Sequence, residues 1–190
     1  MDGITEIRWH GRGGQGVVTA GKLVADAALE AGLYFQAFPD YGPERMGAPI
    51  RAFTRLSKSP IYMHSQITEP DIVIVLDPTV MGAVNVVEGL RENGILLVNT
   101  AASPGEIREQ VGFHAGRVFT VDASAIAMKH FGRDLTNTPM VGAFAQATGL
   151  FTLAVLEDEI HHKFDRKYGE KMVNANINAL RDASAQLKEG

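Results

Sequence analysis

The feature that most constrains the fold of this chain is a cluster of glycines near its N-terminus. Within the segment "WHGRGGQGVVTAGKL" four glycines fall inside six residues, namely Gly11, Gly13, Gly14 and Gly16. The pattern predicts a short strand over 4–10 before the cluster and a helix over 16–31 after it, because apolar residues then recur every three or four positions. A strand, a glycine turn and a helix in this order are typical of α/β proteins that bind a ligand at the turn.

The backbone of such a turn offers a place for a negatively charged group. Without Cβ atoms, Gly11, Gly13 and Gly16 allow positive φ angles and let backbone N–H groups approach a ligand closely. The N-terminus of the following helix adds partial positive charge and unpaired N–H donors, which suit phosphate or carboxylate oxygens. The turn is therefore the first candidate binding site of the chain.

The G-x-G-x-x-G spacing is incomplete as a dinucleotide site. An acidic residue should end the second strand and hold the ribose hydroxyls, but Gln36 and Phe38 lie near that end and Asp40 follows a proline. A Walker-type site is excluded, because Lys22 lies inside the helix and Leu23 stands where Ser or Thr should bind magnesium. Three interpretations stay open: a dinucleotide site, a site for another anion shared with a partner, and a tight turn without a ligand.

The rest of the chain continues the alternation of strands and helices. Further strands are predicted over 33–38, 50–56, 71–78, 94–99 and 118–122, and helices over 80–92 and 105–111. "DIVIVLDP" reads as a central parallel strand buried on both faces, whereas the alternation over 50–56 indicates a half-exposed strand. In the last third, helices are predicted from Pro139 to about Leu156, over 157–164 and over 169–188.

This pattern predicts an α/β protein with three layers, a Rossmann-like, mostly parallel sheet and a helical C-terminal portion. We expect one domain over 1–190, with an α/β core over 1–135 and helices over 136–190 packed on it.

Composition limits the function further. The chain of 190 residues has a formal net charge of -4 and no cysteine. Without cysteine it holds no disulfide, thiolate zinc site or iron–sulfur cluster of its own, and this composition is compatible with a cytoplasmic protein. The sequence shows no basic stripe for nucleic acid, no signal-peptide pattern and no apolar run long enough to span a membrane.

A second loop supplies further candidates. "PDYGPERMGAP", over 39–49, is restricted by proline and glycine, and its Tyr41, Glu44 and Arg45 could line a ligand or a subunit contact, or could lie in a solvated loop. Asp77, at the end of the buried strand, and Asn99, at the end of the next, occupy places where α/β sheets hold ligands. Adjacent histidines, His161 and His162, lack the spacing of a zinc pair, so we expect no metal site.

The segments "GRGGQGVVTAGKL", "YGPERMGAPIRAFTRLS", "PDIVIVLDP" and "NTPMVGAFA" resemble, in the same order, those of the gamma subunit of 2-oxoacid:ferredoxin oxidoreductases, most closely the pyruvate branch. The resemblance covers the whole chain. It implies a complex that converts a 2-oxoacid and coenzyme A to acyl-CoA and carbon dioxide and reduces ferredoxin. Alpha, beta and delta subunits are the implied partners, and thiamine diphosphate, magnesium and iron–sulfur clusters would lie in them. Met46 departs from the glycine or basic residue usual near "ERMG".

Under this resemblance the chain helps to bind coenzyme A and covers the thiamine site of its partners, carries no catalytic residue and is inactive alone. Arg12 and Arg45 could grip phosphates in bidentate fashion. The implied contacts are Gly11, Arg12, Gly13, Gly14, Gln15, Gly16, Tyr41, Glu44 and Arg45. The alternatives are a stand-alone Rossmann-type oxidoreductase and a purely structural assembly subunit.

Overall fold

The computed structural model describes residues 3–40 and 47–190, with the backbone alone over 165–168. Within the described residues a mixed sheet of seven strands forms the centre of the molecule. In chain order the strands are β1 (Thr5–Arg12), β2 (Tyr34–Asp40), β3 (Pro49–Ser57), β4 (Ile72–Val75), β5 (Ile95–Asn99), β6 (Arg117–Val121) and β7 (Lys188–Glu189). Their order across the sheet is β2-β3-β1-β4-β5-β6-β7.

The central strands β1, β4, β5 and β6 run parallel to one another. On one side, β3 runs antiparallel between β1 and β2, with a register from Thr5 opposite Leu56 to Arg12 opposite Pro49. At the other edge, β7 pairs antiparallel with β6. Four parallel strands therefore bring their carboxyl ends to the same edge of the sheet, and the glycine turn follows the first of them.

Helices cover both faces of the sheet. The helices of the described residues are α1 (Val17–Glu30), a 3-10 helix (Pro78–Gly82), α2 (Pro104–Val111), α3 (Ala123–Phe131), α4 (Asn137–Thr148), α5 (Leu153–Tyr168) and α6 (Glu170–Ala185). One core joins α1 and α3–α6 to one face of the sheet, and a smaller core places α2 and the 3-10 helix on the other. The predicted fold class, a three-layer α/β protein with a helical C-terminal portion, is confirmed.

The buried helix α4 connects the sheet to the C-terminal helices. Phe144 of α4 packs against Trp9 of β1, with ring centroids 5.9 Å apart. On its other side α4 meets α6 closely, because a Cβ on Gly142 would overlap the backbone carbonyl oxygen of Leu180. Side chains from β1, α4 and α6 therefore share one core.

Two predicted helices differ from the structure. The helix predicted over 80–92 is wrong: Pro78 starts a short 3-10 helix instead, and the chain then turns at Gly89, whose φ is +69° and which packs on the backbone of Thr68. The helix predicted to reach about Leu156 ends at Thr148, because Gly149 caps it in the left-handed conformation at φ +64°. The helix predicted over 157–164 is the central part of the longer α5.

Two further features were not predicted from the sequence pattern. Helix α3 begins after Asp122, whose side chain accepts a hydrogen bond from the Ala125 N–H, and ends at Gly132. The strand expected to be half exposed, β3, is buried over most of its length, because α1 packs against one of its faces and the segment that contains Ser65 lies over the other. No helix in the described ranges is both long and apolar enough to cross a membrane.

Candidate functional site

The glycine turn lies at the carboxyl end of β1. Gly14 and Gly16 adopt positive φ angles of 96° and 79°, which favour glycine over residues with a Cβ. The Gly13 N–H donates to the Ala48 carbonyl at 3.0 Å, so the turn is tied to the start of β3. At Gly11 a Cβ would lie 2.6 Å from Cγ2 of Val17. The backbone conformation therefore requires glycine at Gly14 and Gly16, and the packing requires it at Gly11.

Two helices begin side by side at this turn. Gly16 is the N-cap of α1 and supplies no side chain to its first N–H groups. Helix α4 begins at Asn137, and a Cβ on Gly16 would lie only 3.1 Å from Nδ2 of Asn137. Thr136 caps α4 without a side-chain hydrogen bond. The partial positive charges of both N-termini therefore act on the same small region.

Arg12 and Gln15 fix the turn to the segment after β4. The Gln15 side chain accepts from the Arg12 N–H at 2.8 Å and donates from Nε2 to Asp77 Oδ2 at 2.7 Å. The guanidinium of Arg12 donates from Nε to Thr79 Oγ1 at 2.8 Å and from Nη1 to the Gly47 carbonyl at 3.0 Å. Both predicted contact residues are therefore held in one hydrogen-bonded network.

Asp77 is the acidic centre of this network. Burial alone would raise the pKa of Asp77, but hydrogen bonds from Thr79 and Gln15 and the nearby charge of Arg12 outweigh it and hold the pKa below its ordinary value. Nε of Arg12 lies 3.5 Å from Asp77 Oδ2. The ionised carboxylate thus offsets the charge of Arg12, so the helix N-termini are the main source of positive potential at the turn.

Asn99, at the end of β5, is fully engaged in hydrogen bonds to neighbouring segments. Its Nδ2 donates to the Leu76 carbonyl at 2.8 Å and to Ser124 Oγ at 3.0 Å, and its Oδ1 accepts from the Ser124 N–H at 3.1 Å. Thr100 uses its hydroxyl to accept from the Ala102 N–H. Asn99, which the sequence pattern suggests as a ligand contact, is therefore engaged in joining β4, β5 and α3.

The topology does not provide the ribose carboxylate of a dinucleotide site. In that class a parallel strand lies beside the first strand and ends in an acidic residue. Here the neighbour of β1 on that side is the antiparallel β3. The residue of β3 opposite the end of β1 is therefore Pro49, the first residue of the strand, and no acidic residue ends a strand there. Asp40 ends β2 one strand further away and is bound by Arg51 and Gln66.

The structure brings the contact residues of the turn, Gly11–Gly16, to one place. Tyr41, Glu44 and Arg45 lie outside the described residues, so their participation stays a prediction, as does the role of Met46. Sequence reasoning missed Thr79 and Asn137, which reach the turn from distant segments. Thr79 follows the Asp-Pro turn and Asn137 is the first residue of α4, so only their places at helix starts could have indicated them.

The three histidines and the lysine among the remaining candidates do not belong to the hydrogen-bonded network of the glycine turn. His10 points to the face of the sheet opposite α1, where it bonds to Arg8. Lys22, His161 and His162 are exposed on helix surfaces. In the described part of the chain no three His, Asp or Glu side chains come together as a metal site would require.

The fold and the turn define a class of protein: an α/β protein whose glycine turn, at the carboxyl ends of parallel strands, brings two helix N-termini together and lacks the carboxylate that dinucleotides need. The family model described as pyruvate ferredoxin/flavodoxin oxidoreductase matches residues 6–186, and the chain belongs to this family.

Relatives define the branch of the family. The chain is 45% identical over 183 residues to pyruvate synthase subunit PorC of Thermotoga maritima, covering 96% of this chain and 94% of the relative. It is 47% identical over 172 residues to the pyruvate/ketoisovalerate oxidoreductases common subunit gamma of Thermococcus kodakarensis, covering 90% and 93%. The resemblance to gamma subunits is confirmed: the chain is a gamma subunit of the pyruvate and 2-oxoacid oxidoreductase type.

Solved structures agree with this fold. The crystal structure of the pyruvate oxidoreductase subunit PORC of Thermotoga maritima superposes with a TM-score of 0.87 at 42% identity, covering 98% of both chains. A 2-oxoglutarate:ferredoxin oxidoreductase of Magnetococcus marinus, solved with 2-oxoglutarate, coenzyme A and succinyl-CoA bound, matches with a TM-score of 0.79 at 20% identity. This chain corresponds to 31% of that longer chain, and the likeness concerns the fold alone.

Proposed function

We propose that this gamma subunit works within a cytoplasmic complex of alpha, beta, gamma and delta chains that converts pyruvate and coenzyme A to acetyl-CoA and carbon dioxide and reduces ferredoxin. In this proposal its glycine turn binds part of coenzyme A, and its surface covers the thiamine diphosphate site of a partner. The isolated chain is inactive.

Thiamine diphosphate, magnesium and iron–sulfur clusters do not fit the residues of this chain. It has no cysteine to hold a cluster. Its sequence lacks the Gly-Asp-Gly and Asn-Asn pattern of a thiamine diphosphate site, and the described residues form no acidic or histidine cluster for a metal. We therefore assign these groups to the partner subunits and derive no step of the reaction from them.

The observation that carries the coenzyme A proposal is the meeting of α1 and α4 at Gly16. Neither helix has a side-chain cap at its first turn, so backbone N–H groups remain for the oxygens of a phosphate. Arg12, with 31% of its side chain exposed, lies beside them. Coenzyme A carries a pyrophosphate and a 3′-phosphate, and either group matches donors arranged in this way.

The role of the subunit in the reaction follows from binding and from exclusion of water. Backbone N–H groups at a rigid turn hold a phosphate without having to become ordered first. A subunit that packs over a partner's active site keeps water from the reacting carbon until the thiol of coenzyme A arrives. In this proposal no proton or electron is transferred by a side chain of this chain.

The competing function is that of an assembly subunit without a ligand. The engagement of Arg12 by Asp77, Thr79 and Gly47 favours this second function, because an arginine already paired has less to offer a phosphate.

The two functions differ in the kinetics of the assembled complex. If coenzyme A binds here, Arg12→Ala raises the KM for coenzyme A about tenfold, as expected for loss of a charged hydrogen bond, and leaves the KM for pyruvate unchanged. Lys22→Ala, which removes an exposed charge on α1, is the matched control. An unchanged KM for coenzyme A in an intact Arg12→Ala complex would rule out a contact of Arg12 with coenzyme A and favour the assembly subunit. Size-exclusion chromatography and the melting temperature establish that the complex is intact.

A further inference from the structure

The face of the sheet opposite α1 is unusually charged over β1 and β3. Because side chains alternate along a strand, Ile7 and Trp9 of β1 enter the main core, whereas Arg8 and His10 face the other way. In β3, Arg51 pairs in register with His10. Arg8 and His10 are each only 3% exposed. Buried polar side chains of this kind need hydrogen-bond partners.

Two buried arginines donate hydrogen bonds to the backbone carbonyls of two loops that lie over this face. Arg8 donates from Nη2 to the carbonyls of Val86 and Glu88, in the segment after the 3-10 helix. Arg55 donates from Nη2 to the Ser65 carbonyl at 2.7 Å and from Nε to Glu6 at 2.8 Å. Beside the first of these loops lies a cavity of about 460 Å³, lined by side chains of β1 and β3, by Asp40 and by residues of the segment 80–88.

His10 presents a hydrogen-bond donor to this cavity. Its ring lines the cavity, and its Nε2 accepts from Arg8 Nε at 3.0 Å. An imidazole that accepts at Nε2 carries its proton on Nδ1. Burial, with the charges of Arg8 and Arg51, lowers the pKa of His10 to about 3, so the ring is neutral. The Nδ1–H makes no hydrogen bond to any described residue.

The charges around the cavity select the kind of ligand. Arg51 lines it and binds Asp40 Oδ2 from Nε at 2.9 Å and from Nη2 at 2.7 Å. Asp40 and Glu88 line it as well, and two acidic side chains repel a multiply charged phosphate more strongly than a singly charged carboxylate. Apolar side chains, among them Val80 and Val84, complete the wall. A singly charged group on a small apolar body matches this lining.

We propose that this cavity is a carboxylate-binding site, in which the Nδ1–H of His10 and the guanidinium of Arg51 hold the two carboxylate oxygens. The residues that hold the carboxylate are not those of the glycine turn, and the proposal does not depend on coenzyme A binding. The carboxylate comes either from a free small acid or from an acidic side chain of a neighbouring subunit, since the same donors serve both.

The test uses the full chain and isovalerate, with isovaleramide as the uncharged probe of the same shape. Nuclear magnetic resonance of the imidazole nitrogens follows His10, identified by its loss in His10→Gln. We expect isovalerate, and not isovaleramide, to shift the Nδ1 signal in a saturable way. Arg51→Gln weakens this binding about tenfold, whereas Arg117→Gln, at an exposed ion pair on β6, leaves it unchanged.

The assembled complex distinguishes the two sources. If the site serves a free acid, the complex still binds isovalerate. If a partner's side chain fills the site, the complex does not bind it, and Arg51→Gln weakens subunit association while Arg117→Gln does not. The proposal is overturned if isovalerate produces no saturable shift in the free chain, if the amide binds equally well, or if Arg51→Gln binds isovalerate as tightly as the unaltered chain.

Discussion

Gln15 and Asp77 are 62 residues apart in the chain, yet Nε2 of Gln15 donates to Oδ2 of Asp77 at 2.7 Å. This bond joins the glycine turn to the segment that follows β4. It also places an ionised carboxylate beside Arg12, 3.5 Å from its Nε. The charge available to an anion at the turn is therefore smaller than the sequence alone indicates.

Removing the charge of Asp77 should strengthen coenzyme A binding, if coenzyme A binds at the turn. Asp77→Asn keeps the shape of the side chain but leaves the charge of Arg12 uncompensated. A partly exposed ion pair is worth up to about 1 kcal/mol, so we expect the KM for coenzyme A in the complex to fall about two- to fivefold. Glu157→Gln, which removes one negative charge at a distant surface pair with Arg181, is the control. A KM that rises or does not change contradicts this role of Asp77.

The glycine turn could be predicted from sequence because it is a local feature. The turn follows directly after β1 and precedes α1, so spacing alone was sufficient. Thr79 and Asn137 reach the turn through the packing of β4 and α4, and local patterns carry no information on such contacts. The carboxylate beside Arg12 was visible in the sequence as the end of a strand, but its partner was not.

The burial of β3 shows a second limit of sequence reasoning. Arg51 and Arg55 alternate with apolar residues, which is typical of a half-exposed strand. The pairing of β3 with β1 and β2 occupies only its edges, whereas α1 covers one face at Thr54 and the segment that contains Ser65 lies over the other. Arg55 is then only 1% exposed, and it is accommodated because Glu6, Gln36 and the Ser65 carbonyl accept its hydrogen bonds.

Two buried threonines should respond in opposite ways to replacement by valine. Thr54 accepts from Trp9 Nε1 at 3.1 Å and donates to the Gly21 carbonyl at 3.3 Å. Thr54→Val leaves these groups unpaired, so the free energy of unfolding should fall by about 1–3 kcal/mol. Thr120 has a buried hydroxyl without a hydrogen-bond partner among the described residues, so Thr120→Val should be neutral or stabilising.

Urea denaturation followed by the fluorescence of Trp9, the one tryptophan of the chain, measures both variants. Equal losses of stability in Thr54→Val and Thr120→Val would mean that methyl packing, and not the hydrogen bond to Trp9, determines the effect at Thr54.

A single glycine tests the proposal that residues 1–190 form one domain. Gly142 lies inside α4, where alanine is normally the better helix former. A Cβ there overlaps the backbone of Leu180, so Gly142→Ala must push α4 and α6 apart and should cost about 1–3 kcal/mol. Gly105→Ala, inside α2 with open space around it, should be neutral or stabilise by up to about 1 kcal/mol.

Calorimetry of these two variants shows whether the helical portion unfolds with the sheet. If 1–190 is one domain, Gly142→Ala lowers the temperature of a single transition for the whole chain. Two transitions, of which only one moves, would divide the helices over 136–190 from the α/β core over 1–135.

His10 should make the stability of the chain depend on pH in a defined window. Burial, followed by the charges of Arg8 and Arg51, lowers the pKa of His10 from 6.5 to about 3. Below pH 6.5 the unfolded chain therefore binds a proton that the folded chain does not. The pKa shift therefore has no effect on stability above that pH, and it lowers the free energy of unfolding as the pH falls from 6.5 towards 3, with a slope of at most about 1.4 kcal/mol per pH unit. His10→Gln keeps an acceptor for Arg8 but cannot titrate, so its free energy of unfolding should fall less steeply between about pH 4.5 and 6.5.

His161→Gln, at an exposed position on α5, should follow the unaltered chain. Equal slopes for His10→Gln and the unaltered chain in urea denaturation would show that His10 is protonated in the folded protein, which is incompatible with its Nε2 accepting from Arg8.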